Sequence, residues 1–151
     1  MREHLLIDGF NFAHSSSRAS PKGKSPDIKA MVYALETYAF KKNVKATVVL
    51  DGVRFEGEFT ASGAVDVLFS RPPETADEEI RRLMDGVPVR DRLSWVLVTD
   101  DGALRETARA RGLRVWSTQE MARELDAALK QDRDAPPAKR PGPFNNPFSR
   151  L

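Results

Sequence analysis

Three times in this chain a short apolar run stops abruptly on aspartate. Leu5-Leu6-Ile7 runs into Asp8-Gly9, Ala46-Thr47-Val48-Val49-Leu50 into Asp51-Gly52, and Trp95-Val96-Leu97-Val98-Thr99 into Asp100-Asp101-Gly102. A continuous apolar run bounded by a turn signal reads as a strand covered on both faces, the mark of a parallel sheet. Strands of that kind need a helix layer above and another below. Because parallel strands point the same way, whatever follows them falls on one edge, where open α/β sheets take their ligands.

The intervening segments supply the helices. Ser25-Pro26 reads as N-cap and first helical residue, followed by Ile28, Met31, Val32, Leu35, Ala39 and Phe40 at helical spacing and Lys41-Lys42 at the C-terminal end. Val65 to Phe69 is a further strand, broken by Ser70-Arg71-Pro72-Pro73; Thr75 with Glu78 forms a capping box that opens a helix burying Ile80, Leu83 and Met84. A helix over 103–111 stops at Gly112, Arg114-Val115-Trp116 is a short strand, and a second capping box, Ser117 with Glu120, opens a last helix through Met121, Leu125 and Leu129. Ala13 to Lys24 is polar and rich in Ser, Gly and Pro, so it reads as a loop, and 54–63 as another with a short strand at about 55–59. The expected fold is α/β: a three-layer α/β/α domain over 1–131 with a mainly parallel, about five-stranded sheet. Residues 132–151, basic and rich in Pro and Asn, read as a disordered tail whose Phe144 and Phe148 are free to dock on the domain or on a protein partner.

A chain of 151 residues suits one domain with a real core. It has no cysteine, which excludes disulfides and thiolate metal sites. No apolar stretch is long enough for a signal peptide or a membrane span, so the cytoplasm is the expected location. The net charge of +2 sits in the tail: residues 132–151 hold Arg133, Lys139, Arg140 and Arg150 against Asp132 and Asp134, leaving the body balanced. A balanced body argues against a histone-like coat for nucleic acid, yet allows a local basic patch beside an acidic pocket.

Asp8, Asp51 and Asp100/Asp101 follow three strands directly, and Asp77 opens the helix after the fourth long one. Carboxylates crowded on one edge repel unless a cation offsets them. Oxygen ligands of this kind suit Mg²⁺ or Mn²⁺, and an ion so held activates water against a phosphodiester. Each residue also has a plainer use: Asp-Gly makes a good turn, Asp77 is favourable in a first helical turn, and Asp100 or Asp101 can cap a helix. Capping would accept Ser, Thr or Asn as well, whereas aspartate stands at every one of these edges.

Ile7-Asp8-Gly9-Phe10-Asn11-Phe12, Val49-Leu50-Asp51-Gly52, Val65 to Arg71 with Glu74-Thr75-Ala76-Asp77-Glu78, and Val98-Thr99-Asp100-Asp101 occur in that order. Together they resemble the NYN-domain proteins of the YacP-like branch, within the PIN-like ribonuclease superfamily, over about residues 4–130. The resemblance implies a PIN-like fold and a Mg²⁺- or Mn²⁺-dependent endoribonuclease site. By that resemblance Asp8 and Asp77 match acidic site residues, and Asp101 matches the acid after the fourth strand. Asp100 stands where the family often has Ser or Asn, so Asp101 is the better metal ligand of the pair. Asp51 matches an acid with a secondary role. Asn11 matches a family Asn able to orient Asp8, a water or the phosphate, or else to form an Asx turn.

For the substrate, expected to be RNA (mRNA, tRNA or rRNA), Arg71 follows the third strand and can bind phosphate bidentately. Arg54, Lys22, Lys24 and Arg105 sit on loops or a helix start at the same rim, and Phe10 or Phe55 can stack on a base or serve the core. Thr99 offers a hydroxyl to the site or to a turn, and His4 and His14 have no triad partner or metal spacing. The competing classes are a non-catalytic RNA- or ribosome-binding module and a small-molecule phosphohydrolase. The latter is disfavoured because neither GxGxxG nor GxxxxGK[ST] occurs.

Overall fold

The computed structural model describes residues 2–16, 27–52 and 63–133. In chain order these form β1 (His4–Asp8), α1 (Gly9–Ser16), α2 (Ile28–Lys42), β2 (Lys45–Asp51), β3 (Val65–Ser70), α3 (Ala76–Gly86), a 3₁₀ helix (Val89–Ser94), β4 (Trp95–Val98), α4 (Gly102–Ala110), β5 (Arg114–Trp116) and α5 (Thr118–Arg133). The five strands make one sheet in the order β3-β2-β1-β4-β5, every neighbouring pair parallel. The chain first builds outward from β1 to β2 and β3, then returns to the other side of β1 for β4 and β5. The switch point therefore lies between β1 and β4, the crevice where such sheets bind ligands.

The two-sided burial read from the strands is what the structure has. Leu5, Ile7, Val48, Leu50, Val96 and Val98 pack with Phe12 of α1, Met31 and Leu35 of α2 and Met121 of α5. On the opposite face Leu6, Val49 and Leu97 pack with Ile80 and Met84 of α3 and Leu104 and Ala108 of α4. Fully burying a side chain of this size contributes about 1.5–3 kcal/mol, so the three central strands carry most of the fold. Among the described residues no helix is long and apolar enough to cross a membrane.

The helix signals hold in part. Ser117 and Glu120 form the complete reciprocal box, each backbone N–H meeting the other's side chain at 3.0 Å. At α3 the Glu78 N–H reaches the Thr75 hydroxyl at 3.3 Å, but the Glu78 carboxylate takes that hydroxyl rather than the backbone N–H. Gly112, at φ +85°, ends α4. Its own N–H bonds Arg109 O and that of Leu113 bonds Ala108 O, the paired closure of a Schellman motif.

Two expectations are corrected. The N-cap of α2 is Asp27, not Ser25, because the Asp27 carboxylate accepts the Ala30 N–H at 3.0 Å. Residues 13–16 of the expected loop belong instead to α1, which runs directly out of β1 as far as Ser16, and 17–24 lie outside the described residues. Gly, Asn and Ser make GFNFAHSS a poor helix by propensity, and burial of Phe12 and Ala13 overrides that. The helix α5 continues through Arg133, two residues past the expected domain limit. The expected strand near 55–59 and residues 134–151 lie outside the described residues.

Gly9 is where α1 meets the sheet. A Cβ there would lie 2.5 Å from Leu50 Cδ2 and 2.9 Å from the Val49 carbonyl oxygen, so nothing larger fits without moving α1 off β2. Gly9→Ala is expected to destabilise the fold by about 1–3 kcal/mol, read as a lower urea midpoint at unchanged slope.

Candidate active site

The carboxyl edge of β1 and the turn after β4 are tied together by one buried hydroxyl. Thr99, fully buried, donates from Oγ1 to Asp8 Oδ2 at 3.1 Å and lies 3.3 Å from Asn11 Oδ1. The same oxygen accepts the Asp101 N–H at 3.1 Å. Asn11 Oδ1 accepts the Asp100 N–H at 2.8 Å, and the Arg105 guanidinium donates to the Thr99 carbonyl at 3.0 Å. The two turns that flank the switch point are thus held in fixed relation by side chains from both.

Asp8 is only 8% exposed. Burial pushes its carboxyl up to about 6; the Thr99 hydroxyl and the Asn11 N–H oppose the rise, while the charges of Asp77 and Asp101 add to it. Asp77, half-buried in the first turn of α3, is raised by burial and then by Asp101, with Arg81 pulling the other way. Asp8, Asp77 and Asp101 are therefore close enough to feel one another's charge. Among the described residues, though, no three His, Asp or Glu side chains close on a common point tightly enough to hold a bare ion.

The adjacent pair Asp100 and Asp101 divide their work. Asp100 turns to α5, where its carboxylate accepts both the N–H (2.9 Å) and the hydroxyl of Thr118. Asp101 caps α4 with one oxygen, Oδ1 accepting the Leu104 N–H at 3.0 Å, while its charge acts on Asp8 and Asp77. Asp51 ends β2, in register with Ser70 of β3, and its charge is not among those that shift Asp8. The Ser70 hydroxyl at that edge is buried and has no hydrogen-bond partner among the described residues.

Of the expected phosphate contacts, Arg71 is exposed just beyond β3. Arg105 spends a donor on the Thr99 carbonyl and so braces the turn. Arg54, Lys22, Lys24 and Phe55 lie outside the described residues. Phe10 is half-buried against the core. His4 stands at the start of β1, at the other end of the sheet, stacked on Trp95 with ring centroids 3.7 Å apart. Sequence reasoning left Thr99 between two roles and passed over Arg81. Arg81 bonds the Thr107 hydroxyl at 2.9 Å, joining α3 to α4, and offsets Asp77 four residues before it, a spacing that marks helical neighbours.

A three-layer α/β/α domain with acidic side chains at its switch point fits the PIN-like type. The family model of the YacP-like NYN domain matches residues 5–143. The chain belongs to that family, and membership supports a nuclease-type, RNA-related function. Among solved structures it is similar to Rae1 (YacP) from Bacillus subtilis, at 21% identity over 87% of this chain and 78% of that one, with a TM-score of 0.73. A point mutant of the same protein gives 21% identity, 87% and 79% coverage and a TM-score of 0.71. At that identity the likeness is one of fold. No curated protein sequence matches the chain.

The Asp8 shift fixes the sign of a pH effect. The folded carboxyl keeps its proton up to about pH 6, whereas the ordinary value is 3.8, so folding loses stability as pH rises between those values. Asp8→Asn removes that cost and is expected to stabilise the protein by about 3 kcal/mol at pH 7. The gain should vanish near pH 3.5 (~0.3 below the ordinary Asp value), as thermal unfolding at the two pH values reads out.

Proposed function

We propose that this chain is a metal-dependent endoribonuclease whose centre is Asp8, Asp77 and Asp101. The observation that carries the reading is the mutual electrostatic contact of these three carboxylates at the β1/β4 switch point, one of them nearly buried. The donor set is all carboxylate oxygen, which fits a hard divalent ion such as Mg²⁺ or Mn²⁺. Mg²⁺ takes one or two carboxylates beside its waters, so the lack of three converging ligands among the described residues does not weigh against it. The unpartnered Ser70 hydroxyl adds a polar group on the same edge.

Asp8, Asp77 and Asp101 would hold a divalent ion, which would supply an activated water and offset charge on the phosphoryl oxygens. Thr99 and Asn11 hold the Asp8 carboxylate in one orientation, with Thr99 anchored in turn through the Asp101 N–H. Arg81 offsets part of the rise that burial and Asp101 impose on Asp77. Arg71 offers a guanidinium to a backbone phosphate. Asp100 serves α5, and Asp51 lies to one side on β2. The rival reading, a non-catalytic RNA- or ribosome-binding module, draws on that same lack of a close three-ligand group.

Cleavage of a labelled mixed RNA pool with Mg²⁺ or Mn²⁺ tests the proposal. Asp8→Asn and Asp77→Asn are each expected to cut the rate by about 100-fold or more, beyond the usual loss from an outer-shell change. Asp100→Ala, which loses only a helix cap, should keep activity while costing about 1 kcal/mol of stability. Mn²⁺ should raise the thermal midpoint of the unaltered chain and leave that of Asp8→Asn where it was. RNA binding without cleavage at any divalent concentration would favour the rival.

A further inference from the structure

We propose that the pocket beneath the α3 face of the sheet is a docking site for the chain's own segment 134–151, with Phe148 in the pocket and Arg150 beside Asp66. The pocket measures about 450 Å³ and is lined by Thr47, Asp66, Val67, Leu68, Leu83 and Trp95. It belongs to the edge away from the carboxylates: Trp95 is the first residue of β4 and pairs with His4, the first of β1. Its walls are mostly apolar, and His4 stacks on Trp95 and meets the Thr47 hydroxyl at 2.8 Å, which fixes the indole. A volume within the range that accepts small organic ligands, about 300–1,000 Å³, admits a phenyl ring with room to spare.

Among the described residues, Asp66 is the one charged residue in the lining. Burial is the main cause that pushes the neighbouring His4 down to about 4, so that at neutral pH it places no positive charge against Asp66. An apolar slot with one carboxylate at its mouth fits an aromatic residue followed closely by a cation. Segment 134–151 carries Lys139, Arg140 and Arg150 against Asp134 alone, and it has Phe144 and Phe148 as its aromatics. Phe148 and Arg150 are two apart, so in extended backbone they point to the same side.

The exit point of α5 places this segment near the pocket. The helix starts one residue after β5, at the carboxyl edge, and runs back past the sheet. Its Ala128 carbonyl accepts Lys41 Nζ at 2.9 Å, and Lys41 lies at the end of α2, just before β2 begins. The chain therefore leaves α5 at the same edge as the pocket, on the other face. Passing from one helix layer round the sheet edge means crossing about 10 Å twice, with a few strand spacings of ~4.8 Å. The 14 residues from 134 to 147 span about 43 Å at a polyproline-like rise of ~3.1 Å each, which is ample. A tether of this length also keeps the occupant at a local concentration on the order of millimolar, an advantage no free partner has.

The chain lacks cysteine, so Ser149→Cys in the full-length chain takes a single nitroxide label. Expected are the loss of the Asp66, Val67 and Leu68 amide signals and of the Trp95 indole signal, and their return when Phe148→Ala is added or the label is reduced. Asp66→Lys should restore them in part. Sharp signals in the labelled chain would overturn the proposal. So would broadening that also appears when label and isotope are on different molecules, which would make the occupant a second copy. The described core is closed by residues before 134, and an unchanged far-UV spectrum of Phe148→Ala checks that the domain is intact for either outcome.

Discussion

The feature on which the rest of this molecule depends is a carboxylate held almost out of water at the end of an apolar strand. Burying an isolated charge of this kind is among the most costly things a fold can do. Asp8 is nonetheless only 8% exposed and has two other acids acting on it. Its position is maintained by the Thr99 hydroxyl and the Asn11 N–H. The groups that make Asp8 tolerable are also those that aim it, so the geometry of the site and the stability of the switch point cannot be altered separately.

Thr99 shows how little material this takes. One hydroxyl gives to β1 and receives from the turn after β4, while its backbone carbonyl is fastened by Arg105. Asn11 repeats the link from the α1 side by accepting the Asp100 N–H. Two neighbouring aspartates then serve different elements, Asp100 the start of α5 and Asp101 the start of α4. Helix capping and site building are here the same chemistry, the supply of a carboxylate oxygen to a backbone N–H, and what separates them is whether charge is left over to act on Asp8.

Much of this could be read in the chain before any coordinates. Strands buried on both faces announce themselves as unbroken apolar runs, which is why β1, β2 and β4 appear within a residue or so of their observed limits, and the Ser117–Glu120 box marks α5. The start of α1 was hidden because its stability comes from Phe12 sinking into a core formed by distant segments, not from its own residues. The 3₁₀ helix before β4 has no apolar period, leaving Val89 and Leu93 exposed, so no pattern betrays it. Which of Asp100 and Asp101 faces the site could not be decided from two identical neighbours, since the answer lies in where Thr118 comes to rest. Strand direction alone puts Asp8, Asp51, Asp77 and the Asp100–Asp101 pair on one edge; the choice of Asp8, Asp77 and Asp101 among them came from the family resemblance, and the distance between them from neither.

The bonds that close this site join residues far apart in the chain: 91 positions from Asp8 to Thr99, 88 from Asn11 to Thr99 and 89 from Asn11 to Asp100. Contacts of that sequence separation are entropically late, since the loop must be closed before they repay it. The β1–β4 pairing cannot form until nearly a hundred residues have been gathered between them. A chain still being made, or one that has folded only β1 to β3, has the first aspartate and Asn11 but not the Thr99 turn that bonds to both. The bonds from Asp8 and Asn11 to the turn after β4 thus mark the docking of β4: they cannot exist in a chain that lacks it.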